Sequence, residues 1–387
     1  MQARKRRRGA RYIWLTGLAG LLTGAVWSTA QARDSVADIP SWVPDQYKTH
    51  FYRSVDMRPG WEVALSYLGV TLDGKQPAFA LIAGVSKYPK IGGELGDLWP
   101  ARIDVQKMVA YLSREPESFN DIVVLLDDDV TEDNLRYFLT SYFPQRFAQK
   151  PNSRFLFSYS GHGATASNGR GYLLTSQAVD LVPQHNFDAR ISFTTLRAYF
   201  QEIVDNGHQV LALINACFGA EFHRNSFGFG PDGPPPLPTR NGAHVITGGA
   251  SGELTWSDQL FGISEGRKGS LFFEAVFAAL NGVADKLPED GIVDVRELDT
   301  YLHNTISRFS DERQNPTGGD LIPTKSPGGF FFLDNYRQFT NNNADGLSSD
   351  WWSNISFGND QNSSKEENKE LYSDEDFITY WDNGKYD

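Results

Sequence analysis

Two residues in this chain have the types and the spacing of a catalytic pair. His162 stands in Tyr159-Ser160-Gly161-His162-Gly163, and Cys217 stands 55 residues further on, in Asn215-Ala216-Cys217-Phe218-Gly219. Cys217 is the only cysteine among 387 residues. A single thiol makes neither an intramolecular disulfide nor a cysteine-rich zinc site, so it is either a small buried hydrophobe or a reagent. An imidazole beside a thiol takes the proton of the attacking sulfur and later returns one to the leaving amine. The glycines around His162 let the backbone come close to a substrate. The Gly163 N–H and the Cys217 N–H together would then stabilise an oxyanion.

That chemistry requires both residues at one edge of a scaffold, and the surrounding pattern supplies such an edge. Residues 77–85, 121–126, 154–160 and 209–215 are short apolar runs with the length of buried strands. Between them lie helical patterns at 98–114, where Ala101, Val105, Met108, Val109 and Leu112 form one stripe, after a Thr131 cap, and at 191–204. Strands alternating with helices predict an α/β fold, a doubly wound, mostly parallel sheet of about six strands with helices on both faces. In such sheets reactive groups collect at the carboxyl ends of strands. The run 154–160 leads into His162 and the run 209–215 into Cys217, so neighbouring strands would bring the two together.

Composition narrows the partners. With 40% apolar and 13% aromatic residues the chain can bury a large core, and its net charge of -12 argues against a nucleic-acid partner. The first residues differ from the rest. Arg4, Lys5, Arg6, Arg7, Arg8 and Arg11 precede the uncharged stretch Tyr12 to Ala30, which ends in Ala30-Gln31-Ala32. This predicts a signal peptide over residues 1–32, with a membrane anchor through residues 12–30 as the alternative. Either way the remainder is exported, periplasmic or secreted, and touches a membrane only if that segment is retained.

The segments Ala80-Leu-Ile-Ala-Gly-Val-Ser-Lys-Tyr-Pro89, Tyr159-Ser-Gly-His-Gly163 and Ile214-Asn-Ala-Cys-Phe-Gly-Ala-Glu-Phe222, in that order, resemble the caspase and metacaspase family of cysteine peptidases and its bacterial relatives. The resemblance runs from residue 77 to about 335. It implies a caspase-like peptidase domain over 77–335, large-subunit-like at 77–223, small-subunit-like at 243–335, with an intersubunit loop at 224–242. It also implies a cysteine endopeptidase acting on proteins or peptides: Cys217 as nucleophile, His162 as acid and base, and Gly163 with the Cys217 amide as oxyanion hole. Metacaspase-type members cleave after Arg or Lys, held by aspartates in the first pocket. Asp104 matches one of these. The other position, two residues before the cysteine, is Asn215, which offers a hydrogen bond but no charge. Arg102 lies close enough in sequence to keep aspartate specificity as an alternative. Glu253 and Asp258 are further candidates for the pocket, against a reading as a solvated loop.

In this family the intersubunit loop is where self-processing occurs, and Arg224 and Arg240 border a Pro- and Gly-rich stretch suited to a mere connector as well. No cofactor is required by the chemistry. Metacaspases are often activated by calcium, and Asp127, Asp128 and Asp129 are the residues that raise this option; acids ahead of a helix also simply favour its dipole. The stretch Lys286 to Leu298 resembles half an EF-hand loop, yet Lys286 and Pro288 stand at the first ligand positions and cannot bind calcium. An Asp294-x-x-Glu297 capping box accounts for it without a metal. Residues 33–76 form an N-terminal extension expected to pack as an extra layer. The tail, 336–387, is acidic and of disordered composition, with 11 acidic against 3 basic residues from Asn341 onward. Two alternatives to the peptidase remain: a catalytically silent caspase-fold binding or signalling module, for which Asn215 speaks, and an unrelated α/β hydrolase or nucleotide binder, which would need a phosphate-cradling turn absent after the first run.

Overall fold

Runs such as Ala78–Gly84 and Gln209–Asn215, buried along their whole length, fit only the middle of a sheet covered on both faces. The computed structural model describes residues 38–56, 62–65, 68–73, 76–113, 117–216, 239–249, 269–286, 288–321 and 328–333. Along the chain these form α1 (Asp45–Lys48), β1 (Phe51–Ser54), β2 (Glu62–Leu65), β3 (Val70–Asp73), β4 (Ala78–Gly84), α2 (Trp99–Ser113) and β5 (Asp121–Leu126). There follow α3 (Glu132–Tyr137), α4 (Phe143–Gln149), β6 (Arg154–Ser160), β7 (Gly163–Thr165), β8 (Gly171–Leu174), β9 (Arg190–Ser192), α5 (Phe193–Asp205) and β10 (Gln209–Asn215). The last elements are β11 (Gly242–Thr247), α6 (Leu271–Ala278), β12 (Ile292–Asp294), α7 (Val295–Phe309), β13 (Thr317–Asp320) and β14 (Phe331–Leu333).

The main sheet has seven strands in the order β1-β5-β4-β6-β10-β11-β13. Its five inner strands are parallel, and an antiparallel strand closes each edge. The sheet therefore exceeds the expected six strands through these edges. One, β1, comes from the N-terminal extension, which joins the sheet instead of only layering over it. The other, Thr-Gly-Gly-Asp at β13, carries no apolar alternation to betray it.

Alternate residues of each inner strand face opposite layers. On β4, Phe79, Leu81 and Ala83 meet Leu135, Phe138, Phe143 and Phe200 of α3, α4, α5 and the turn between α3 and α4. Ala78, Ala80 and Ile82 meet Val105, Met108, Phe272, Leu298 and Leu302 of α2, α6 and α7. Gly84 lets α2 lie close, because a Cβ there would stand 2.4 Å from Val105 Cγ2. Thr131 caps α3 by accepting from the Asn134 N–H at 3.1 Å, as expected. Arg154, at the start of β6, is buried against Glu117 at 3.2 Å and lies over the ring of Phe331. No helix among the described residues is long and apolar enough to cross a membrane. Residues 12–30 lie outside the described residues.

Candidate active site

β6 ends at Ser160, and the next residues turn out of the sheet. The His162 N–H donates to the Tyr88 hydroxyl at 2.7 Å. Its carbonyl accepts from the Leu174 N–H at 3.0 Å and lies 3.1 Å from the Tyr159 hydroxyl. Both tyrosines approach the chain through Gly161, where a Cβ would stand 2.6 Å from the Tyr159 oxygen and 2.9 Å from the Tyr88 oxygen. The imidazole packs on the Tyr88 ring at 4.6 Å.

His162 Nε2 lies 2.7 Å from the Leu95 carbonyl. A carbonyl only accepts, so Nε2 carries the proton and Nδ1 is the free acceptor of the neutral ring. Leu95 sits in the short turn Glu94–Gly96, entered through Gly92 and Gly93 at φ 66° and 60°, conformations that suit glycine. Burial pushes the His162 pKa below its ordinary value, with the Leu95 carbonyl opposing. The ring is therefore poised as a neutral base.

Gly163 opens β7. The bond from Leu174 N to His162 O makes Gly163 and Leu173, which face each other in the ladder, a non-hydrogen-bonded pair. Such a pair uses neither of its N–H groups within the ladder. The Gly163 N–H is thus left available for an oxyanion.

β10 runs parallel beside β6, with Asn215 opposite Ser160. The Gly161 N–H donates to the Asn215 carbonyl at 3.1 Å. Asn215 Nδ2 donates to Ser160 Oγ at 3.3 Å, and Ser160 Oγ donates to Asp104 Oδ2 at 2.6 Å. The other oxygen of Asp104 accepts from the Ser270 N–H at 2.8 Å. Asp104 is only 1% exposed, and burial raises its pKa to about 7 against these hydrogen bonds. Asn215 is 6% exposed, and among the described residues its Oδ1 has no hydrogen-bond partner. Sequence reasoning placed Asp104 and Asn215 at one site, and the structure joins them through Ser160. It missed Ser160, Tyr88, Tyr159 and Leu95, although the first three stand inside the quoted motifs. Cys217 is two residues beyond Asn215 and, like Arg224, Glu253 and Asp258, lies outside the described residues.

The remaining candidates have their own partners. Arg102 lies 3.7 Å from the Asp127 carboxylate. Asp127 also accepts from the Ser86 and Lys87 N–H groups at 2.7 and 3.1 Å, and Asp128 accepts from Ser176 Oγ at 2.7 Å. Asp285 ties the Asp290 and Gly291 N–H groups at 3.0 Å each, and Asp294 with Glu297 forms the expected capping box. Among the described residues no group of three or more His, Cys, Asp or Glu is placed to hold a metal ion. Arg240 is exposed, and its carbonyl accepts from Gln209 Nε2 at 3.2 Å.

The family model described as the caspase domain matches residues 77–324. Among solved structures, the Drosophila initiator caspase Dronc is similar at 12% identity and a TM-score of 0.37, the alignment covering 66% of this chain and 80% of that one. No curated protein matches the chain.

Proposed function

The chain belongs to the caspase-domain family of cysteine peptidases, and on that premise we propose that it is an endopeptidase with Cys217 as nucleophile and His162 as acid and base. The observation that carries this reading is the seam between β6 and β10. The strand leading to His162 and the strand leading to Cys217 are adjacent and parallel, ending on one rung at Ser160 and Asn215. The tautomer supports it too, since the Leu95 carbonyl leaves His162 Nδ1 as the base.

In the reaction Nδ1 takes the thiol proton and the sulfur attacks the peptide carbonyl carbon. The oxyanion rests on the N–H groups of Gly163 and Cys217. The C–N bond breaks as the imidazolium gives its proton to the amine, leaving a thioester. The neutral ring then deprotonates a water that hydrolyses it. Asp104 and Asn215 underlie the pocket for the cleaved residue, Arg or Lys.

The test is a panel of fluorogenic peptides with Arg, Lys or Asp at the cleaved position, offered to the full-length chain with and without calcium. Cleavage after Arg and Lys that disappears in Cys217→Ala is expected. No cleavage of any peptide, or cleavage unchanged in Cys217→Ala, would overturn the reading.

A further inference from the structure

We propose that Tyr88 and Tyr159 are positioning residues of the peptidase, their hydroxyls gripping the two peptide groups that flank the His162 Cα and so aiming the imidazole and the Gly163 N–H together. The inference rests on the endopeptidase reading above and concerns how that site is held.

The geometry follows from the planarity of the peptide. A residue has only two soft backbone torsions, so fixing the peptide planes on both sides of His162 fixes where its side chain leaves the chain. The plane before it is held by its N–H, which donates to the Tyr88 hydroxyl at 2.7 Å. The plane after it is held by its carbonyl, which accepts from the Leu174 N–H at 3.0 Å and lies 3.1 Å from the Tyr159 hydroxyl. In a trans peptide the C=O and the N–H of one plane point in opposite directions. The plane that carries the His162 carbonyl also carries the Gly163 N–H, the proposed oxyanion donor. Holding that carbonyl toward β8 therefore turns the Gly163 N–H away from β8, and a hydrogen bond to the carbonyl polarises the N–H as well.

Counting protons gives each hydroxyl its task. The Leu174 carbonyl lies 3.3 Å from the Tyr88 hydroxyl and 2.8 Å from that of Tyr159. Two hydroxyl protons thus face two carbonyls, and both are served when Tyr88 donates to Leu174 and Tyr159 donates to His162. Burial holds the Tyr88 proton on well above the ordinary tyrosine range, so this hydroxyl stays a donor at working pH. Both side chains are fully buried. The Tyr88 ring adds a second grip by packing on the imidazole, 4.6 Å between centroids. Gly161 leaves the two hydroxyls their room, since a Cβ there would collide with both. Each tyrosine acts through His162 or Gly163 and not on the substrate itself.

The experiment measures kcat and KM of Tyr88→Phe and Tyr159→Phe, in the full-length chain, on the peptide that the wild type cleaves best. Each variant keeps the ring and loses only the hydroxyl. In both, kcat should fall about ten- to a hundredfold, as for a misaligned rather than a missing group, with KM in place. A second measurement isolates the oxyanion. The Cys217 sulfur should add to an aldehyde of the same peptide: the S–C bond forms, the C=O π pair moves onto oxygen, and the thiol proton passes to His162. The matching peptide alcohol binds without that step. In Tyr159→Phe the Ki of the aldehyde should rise about tenfold while that of the alcohol stays at the wild-type value. Neither Ki depends on how much of the variant has folded. An unchanged kcat in either variant, or an aldehyde Ki that moves no more than the alcohol's in Tyr159→Phe, overturns the positioning role and leaves the peptidase intact. No cleavage of any peptide by the wild type overturns the peptidase, and the positioning role with it.

Discussion

Ser160 and Asn215 face each other on one rung at the carboxyl ends of two neighbouring parallel strands, the serine hydroxyl 3.3 Å from the asparagine amide nitrogen. One segment leaves that rung for His162 and the other for Cys217. Neighbouring strands rather than long loops therefore carry the chain to the proposed base and toward the proposed nucleophile, as precise positioning demands.

As the proposed nucleophile, Cys217 should be reactive in the native protein. Iodoacetamide should alkylate Cys217 under native conditions and abolish cleavage in step. Cys217→Ala should lower kcat by at least about a thousandfold while leaving thermal unfolding in place. Alkylation seen only after denaturation would remove Cys217 from the mechanism.

The depressed pKa of His162 has a sign that can be checked. The native value lies below the 6.5 of an unperturbed histidine. Between the two the unfolded chain holds a proton that the native chain does not, so stability declines as pH falls through that window. The imidazole stays a competent base to the same lower pH. Read in Asp104→Asn, which removes the pocket carboxylate that itself holds a proton to about pH 7, the acid limb of the kcat/KM profile should accordingly fall below the ordinary histidine range, and a limb above it would mean that His162 is not the base.

Charge beneath the proposed pocket should be tunable at Asp104 and at Asn215. Charge-assisted hydrogen bonds contribute about 1.5–3 kcal/mol, so Asp104→Ala should lower kcat/KM for Arg peptides roughly ten- to a hundredfold. Asn215→Asp, which adds a carboxylate where Oδ1 now stands alone, should raise cleavage after Arg and Lys and leave neutral residues poorly cut. Peptide kinetics on the two variants measure both.

Self-processing should discriminate between the two arginines at the intersubunit loop. The Arg240 carbonyl is held by Gln209 and stands two residues before β11, so a cut after it must first undo that contact. Fragments of the active chain are expected to end at Arg224, and Cys217→Ala should stay whole. N-terminal sequencing of the fragments reads the outcome.

A stability test probes the frame beneath the site. Arg154 and Glu117 are fully buried as a pair, with Arg154 Nη1 donating to the Phe331 carbonyl and Glu117 Oε1 accepting from the Leu333 N–H, both at 2.6 Å. Removing one partner leaves a buried charge alone. Glu117→Ala should cost about 3–5 kcal/mol in urea unfolding, and Glu117→Gln, which can still accept from Leu333, should cost less.

Four inner strands and the capping residues were legible because each depends on local pattern: apolar runs for β4, β5, β6 and β10, Thr131 and Asp294 for helix starts. The edge strand at Thr317–Asp320 was not, because two glycines in four residues carry no burial signal. Asp104 and Asn215 were found through a resemblance in their surroundings. Ser160 went unread for a physical reason, since its role lies in joining α2 to β10 across 56 and 55 residues of sequence. Tyr88 was equally hidden. Its hydroxyl reaches the His162 backbone over a separation of 74 residues, and nothing in Ser-Lys-Tyr-Pro announces that.

The strand order also bears on when, during synthesis, this protein can do chemistry. β6 lies between β4, made before it, and β10, made after it. While β4, β5 and β6 are being made, the chain's only thiol has yet to be translated. The pair can form only once β10 has been made and zipped along β6. Placing the nucleophile after the last strand of that seam keeps every earlier intermediate on the ribosome chemically silent.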